Sequence, residues 1–287
     1  EADAARPVPA LAAVELSPGR LMVHLAAPAD LPSPWDGDPA GLHWQLTASA
    51  LTATAHLPTE VAGSAPYPQL VTVGATGEGI TWLLNAEEFG ALTLTGDPTF
   101  ALDFARYLIA EFAVNAWSSD VRVDCLGLGN ELVALNPERI RFHTTGDVLG
   151  DVLGDVRHTV DRLDEHGEPS VVEARVHGAG DDLWGSRVVF TDLADDPQLR
   201  HLRDLVGADP RRAATSIFLV HTEPEAAPIG ETHGVEIQLT GDGRALLPAF
   251  GLELVAVGLT GDEAAGCAAL GRLHQLDEDP ARILGVH

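Results

Sequence analysis

Short runs that are apolar at every position, each followed by a longer stretch with one apolar stripe, fill the chain from Gln69 onward. A strand that is apolar throughout has to be buried on both sides, and a helix with a single apolar stripe covers only one face. Together they point to a three-layer α/β architecture, with helices packed on both faces of a mostly parallel sheet.

Strands are predicted over Leu70–Val73, Ile80–Leu84, Ala91–Thr95, Val121–Leu126, Arg187–Thr191, Ser216–Val220, Val235–Leu239 and Leu252–Val257. Phe100, Phe104, Leu108 and Phe112 recur every four residues and predict a helix from Thr99 to Val114. Asp97 is its expected N-cap and Pro98 its first residue. Val148, Val152, Val156 and Val160 repeat in the same way, with Leu149, Leu153 and Leu163 beside them, and predict a helix over Thr145–Glu165. That helix contains a doubled Val-Leu-Gly-Asp, too short to be an architectural repeat. Shorter helices are expected at Ser170–Val176 and Pro197–Val206, and a final one at Gly261–Leu276.

Residues 1–65 read differently, as a small β-rich N-terminal lobe. Val14–Leu16 and Leu21–Leu25 alternate about a Ser17-Pro18-Gly19 turn, as in a hairpin, and a short strand is expected at Leu42–Thr47. Residues 58–68 carry Pro, Gly, Ser and Ala and read as a connection, so the main α/β domain is expected to span 66–287.

The chain carries 43 acidic and 17 basic residues, a net charge of −26, and every basic residue is arginine. A field of that sign repels phosphate backbones and anionic lipid headgroups, so direct contact with nucleic acid or a membrane surface is not expected of this segment. Without lysine the chain has no Schiff-base amine, no lysine general base and no lysine for a phosphate. Cys125 falls in an apolar strand and Cys267 in an Ala/Gly-rich helix, so both read as small core residues of a protein in a reducing cytoplasm. Glu1-Ala2-Asp3 lacks the basic start of a signal peptide, and no apolar run approaches the ~18 residues of a membrane span. A tether to the inner membrane would have to come from segments outside residues 1–287.

Three turns invite a functional reading. Leu94-Thr95-Gly96-Asp97-Pro98-Thr99 follows a strand and opens a helix, where a phosphate-binding loop would lie. The loop's lysine is absent, and Asp97 puts a carboxylate where an anion would bind. A capped helix start accounts for the same residues. Val188-Val189-Phe190-Thr191-Asp192 has the form of a Walker-B strand, whose Asp would organise magnesium in an ATPase, but any apolar strand ending in a polar turn looks alike. Gly127-Leu128-Gly129-Asn130 has two glycines of a dinucleotide fingerprint, but Leu132 stands at the third and a simple turn is favoured. His158 with Asp161 and His201 with Asp204 share helical faces and find no third ligand, and Asp36-Gly37-Asp38 lacks the later ligands of a calcium loop. No catalytic residue, cofactor or metal is expected.

In this order of elements the chain resembles the RecA-like core of the FtsK/EccC translocase superfamily. Gly96-Asp97-Pro98-Thr99 falls at the phosphate loop, Asp192 at the Walker-B Asp and Ser216–Val220 at the strand that follows. Gly96, Asp97, Thr99 and Asp192 are therefore the candidate residues of a vestigial nucleotide cleft, with Leu193 where a catalytic Glu often stands. More narrowly, Tyr67–Gly74, Gly90–Pro98 and Phe250–Leu254 resemble the middle region of large actinobacterial membrane proteins that carry LysM segments and a C-terminal bacterial transcriptional activator domain. The resemblance implies a non-catalytic regulatory or scaffolding module that binds a protein partner or itself. The alternative is a nucleotide sensor or an ATPase completed in trans, which an arginine near the Gly96 turn would favour. Arg106 lies two turns along the following helix.

Overall fold

A computed structural model of the chain describes residues 8–53, 65–179, 184–193, 196–221 and 234–278. Its strands are β1 Leu11–Ser17, β2 Arg20–Leu25, β3 Asp36–Gly37, β4 His43–Thr47, β5 Leu70–Ala75, β6 Thr81–Asn85 and β7 Ala91–Gly96. They continue with β8 Val121–Leu126, β9 Ile140–His143, β10 Ser186–Thr191, β11 Thr215–Val220, β12 Val235–Thr240, β13 Arg244–Leu247 and β14 Leu252–Val255. The helices are α1 Ala48–Ala53, α2 Ala86–Phe89, α3 Pro98–Val114, α4 Leu149–His166, α5 Val171–His177, α6 Pro197–Ala208 and α7 Gly261–Glu278.

The strands form a single sheet in the order β3-β4-β2-β1-β6-β5-β14-β13-β12-β7-β11-β10-β8-β9. From β12 to β9 every neighbouring pair is parallel. From β12 to β3 every pair is antiparallel, and one residue pair, Val255 with Ala75, joins β14 to β5. The three-layer α/β arrangement expected from the sequence is this parallel portion with its helices. β10 and β11 are buried at every position, which is why Val188–Phe190 and Ile217–Val220 read as continuous apolar runs.

α3 covers one face. Its Phe104, Leu108 and Phe112 are fully buried, and the Phe112 ring meets Phe190 and Phe218 edge-on, with centroids 6.2 and 6.1 Å away. Phe190 and Phe218 stack on neighbouring strands at 4.6 Å. α4 and α6 cover the other face, packing Leu149, Val152, Val156, Leu199 and Leu202 on Leu126, Val189, Ile217 and Leu219. The α4 stripe is the four-residue repeat seen in the sequence, although its first turn, Gly146–Val148, winds as a 3-10 helix.

The N-terminal hairpin forms between β1 and β2 as its alternation predicts, and β1 pairs antiparallel with β6, which places β1–β4 in the same sheet as the rest. Leu11, Val14, Val23, Leu25 and Leu83 pack together there. Of the expected connection, residues 58–64 lie outside those described. The strand expected to reach Val257 ends at Val255.

Candidate functional site

The crevice at the C-terminal ends of parallel strands is the usual ligand site of an open α/β sheet. Here β7 ends at Gly96 and α3 begins at Pro98, so Asp97 alone connects them. The β7–β12 ladder runs on through the turn, with Gly96 level with Leu239 and the Asp97 N–H donating to the Leu239 carbonyl at 2.8 Å. Gly96 has φ +96°, and a Cβ built on it would lie 2.1 Å from that same carbonyl oxygen. Only glycine lets β12 pass this close.

Asp97 caps α3 as its sequence position implies: Oδ1 accepts from the Phe100 N–H at 2.8 Å. Its backbone carbonyl accepts from Ala101, and Pro98 has no N–H to offer. The turn after β12 closes over the same spot, because a Cβ on Gly241 would meet Asp97 Oδ2 at 3.2 Å. Thr99 is exposed in the first turn of α3. A phosphate cradle needs several free amides converging on one point. In this connection the amides of Asp97 and Phe100 are already bonded and a carboxylate occupies the helix end.

Asp192 follows β10 at the same edge of the sheet, but β11 lies between it and the Asp97 turn, roughly 10 Å sideways at two strand spacings. The Asp192 side chain instead sits against Gly127, where an added Cβ would lie 2.3 Å from Oδ1, and burial raises its pKa. Gly127 and Gly129, both at φ +81°, form a turn into a 3-10 segment over Asn130–Leu135. At the end of β11, His221 Nε2 is buried without a hydrogen-bond partner among the described residues; burial and the nearby Arg203 lower its pKa. Arg106 donates to Asp103 at 2.8 Å and to Glu131. Its charge is already committed to those two carboxylates.

A second polar cluster escaped the sequence reading. Asp124, fully buried on β8, accepts from Arg187 Nε at 2.6 Å and from His143 Nε2 at 2.9 Å. Arg187 also reaches Asp155 of α4 at 2.5 Å. The signal lay in charged residues at alternate positions of otherwise apolar strands, which only the strand order brings together. His201 Nε2 lies 2.7 Å from Arg157, and the described residues hold no group of three side chains suited to a metal. Cys125 is fully buried, which pushes its thiol pKa far up and leaves it inert.

No family model matches the chain, and no curated protein matches it in sequence. Solved structures do match in shape. ATPases 2 and 3 of Thermomonospora curvata EccC, in complex with a signal sequence peptide, superpose with a TM-score of 0.56 at 16% identity, covering 76% of this chain and 49% of that one. The cytoplasmic domain of the same type VII secretion ATPase gives a TM-score of 0.55 at 16% identity, covering 90% of this chain and 40% of that one. The pCW3 conjugation coupling protein TcpA, in its monomer form with ATPγS, gives 0.52 at 13% identity over 92% of this chain and 94% of that one. The chain shares their fold. It spans about half or less of the EccC chains it matches. The RecA-like core expected from the element order is thus the fold observed. No helix among the described residues is long and apolar enough to cross a membrane.

Proposed function

We propose that this chain is a non-catalytic regulatory or scaffolding module of a larger, membrane-associated protein, built on a translocase ATPase fold that has lost its nucleotide chemistry. The observation that carries this reading is the one-residue β7–α3 connection, whose amides are bonded to Asp97 itself and to the Leu239 carbonyl. The complete lack of lysine supports it, as does Arg106, which is engaged by Asp103 and Glu131 and is not free to act as a cation at Gly96. With hydrolysis gone, what the fold still offers is surface. EccC was solved with a signal sequence peptide, so a peptide segment of a neighbouring protein is the first partner to test. A cytoplasmic location, with the membrane tether outside residues 1–287, belongs to the same reading, as does an actinobacterial parent protein with LysM and transcriptional activator segments.

The test is a thermal-shift titration of the chain with ATP and ADP, with and without magnesium. A ligand at ten times its Kd stabilises by about 1.4 kcal/mol, enough to move the melting temperature by a few degrees. No shift is expected at 1 mM nucleotide for wild type, nor for Asp97→Ala, which removes the carboxylate from the helix end. A Kd below roughly 100 μM for wild type, about 5.5 kcal/mol of binding, would overturn the reading in favour of a nucleotide sensor.

A further inference from the structure

We infer that the cavity between α4 and the β8–β9–β10 face binds a small ligand bearing an oxyanion, a carboxylate or a phosphate. Parallel register sets Arg122 level with Arg187 and Asp124 level with Arg141, so these four side chains share one face of the sheet. Further along that face, Leu126 and Val189 are covered by α4, whereas Arg122 and Arg141 stand exposed at its margin. A cavity of about 540 Å³ opens there, within the size range of small-ligand sites. A smaller one of about 240 Å³ continues it past Arg122 and Arg187.

The doubled Val-Leu-Gly-Asp of α4 makes this opening. Its valines and leucines pack on the sheet, Asp155 holds Arg187, and Gly150 and Gly154 line the cavity, with nothing within 4 Å of an added Cβ. Glycine is the poorest helix former apart from proline, so two of them one turn apart keep space open at the expense of the helix.

The charges are unevenly satisfied. Arg187 is held by Asp124 and Asp155, and Asp124 also accepts a hydrogen bond from His143 Nε2, which closes that network. Arg122 and Arg141 are exposed and make no ion pair among the described residues, in a chain where carboxylates outnumber arginines 43 to 17. Arg122 stands on the strand beside Arg187, about 5 Å away at the backbone; Asp124 and Asp155 are taken up by Arg187, which leaves the Arg122 guanidinium as a free donor at the cavity. Asp124, Asp151 and Asp155 also line the cavity; Arg187 offsets Asp124 and Asp155, Asp151 opposes an anion, and recognition rests on the planar, bidentate reach of the two free guanidinium groups.

The experiment is calorimetric titration of the whole chain at low ionic strength with inorganic phosphate and, separately, succinate, with sodium chloride as the control. Saturable binding of phosphate or succinate supports the inference, and which of the two binds identifies the oxyanion. The double variant Arg122→Gln/Arg141→Gln is expected to weaken it by about tenfold or more, the loss of a charge-assisted hydrogen bond. Gly154→Leu, which fills the cavity without touching a charge, is expected to abolish it while the melting curve is retained. Heats no different from chloride, or a double variant that binds as tightly as wild type, would overturn the site.

Discussion

Gly96→Ala tests how firmly the β7–α3 turn is fixed. An added methyl would sit 2.1 Å from the Leu239 carbonyl oxygen, where a comfortable contact needs about 3.5 Å. β12 must therefore retreat by more than ~1 Å, and the Asp97–Leu239 hydrogen bond of 2.8 Å stretches with it. Losing that bond costs about 1 kcal/mol. A side chain at φ +96° adds about 1–2 kcal/mol of backbone strain, and displacing packed backbone costs about 1–3 more. The sum is about 4 kcal/mol, a large part of the ~5–15 kcal/mol that holds a domain together. It should lower the melting temperature by roughly 10 °C. Gly79→Ala is the matched control, since Gly79 has φ +81° with nothing within 4 Å of an added Cβ, and it should lose only the strain. Urea melts of the two variants beside wild type give the comparison. If Gly96→Ala loses no more than Gly79→Ala, the turn is soft and can open into a phosphate loop, and the reasoning from its closure fails.

Two further outcomes follow from buried charge. Arg175 and Glu87 form a bidentate pair at 2.7 and 2.8 Å, each side chain 1% exposed; Arg175→Met alone should cost about 3–5 kcal/mol in a urea melt, and adding Glu87→Leu should recover much of it, because the loss is mostly that of one stranded charge. Glu88 is pushed up to about 7 by burial, with Glu87 and Asp209 adding to the shift and Arg211 opposing it. Its folded form keeps the proton longer than the unfolded chain does, so its contribution is full below pH ~4.5 and is lost as pH rises toward 7. Glu88→Gln should accordingly gain about 1–2 kcal/mol over wild type at pH 8, after allowance for solvent screening, and nothing at pH 4. Equal gains at both pH values would refute it.

What was legible in the sequence is what has a period or a cap. The Phe100–Phe112 spacing and the α4 stripe predict helices that are present, and Asp97 caps α3 through the Phe100 amide as expected, whereas Ser170, expected as the first residue of its helix, caps α5 through the Glu173 amide. β9 and β13 were missed because four residues hold no period, and α2 is a single turn. At the candidate cleft the sequence located Gly96 and Asp97, but closure of the turn depends on Leu239, more than a hundred residues away, and no local signal carries that. The Asp124–His143–Arg187 network was hidden for the same reason, being assembled from three strands whose order appears only in the fold.

The strands at the two ends of the fourteen-stranded sheet are β3, two residues long, and β9, four. An outermost strand is an open template for the backbone of another molecule, and its risk grows with its length and flatness. Among the described residues a passing chain finds a ladder of two residues at one end and four at the other, the second carrying the polar side chains of Arg141 and His143. A sheet this wide would be a strong seed for fibre growth if its rims were long; with rims this short, it is poorly suited to being extended. Copies or partners that dock on it are better served by its helical faces than by its ends.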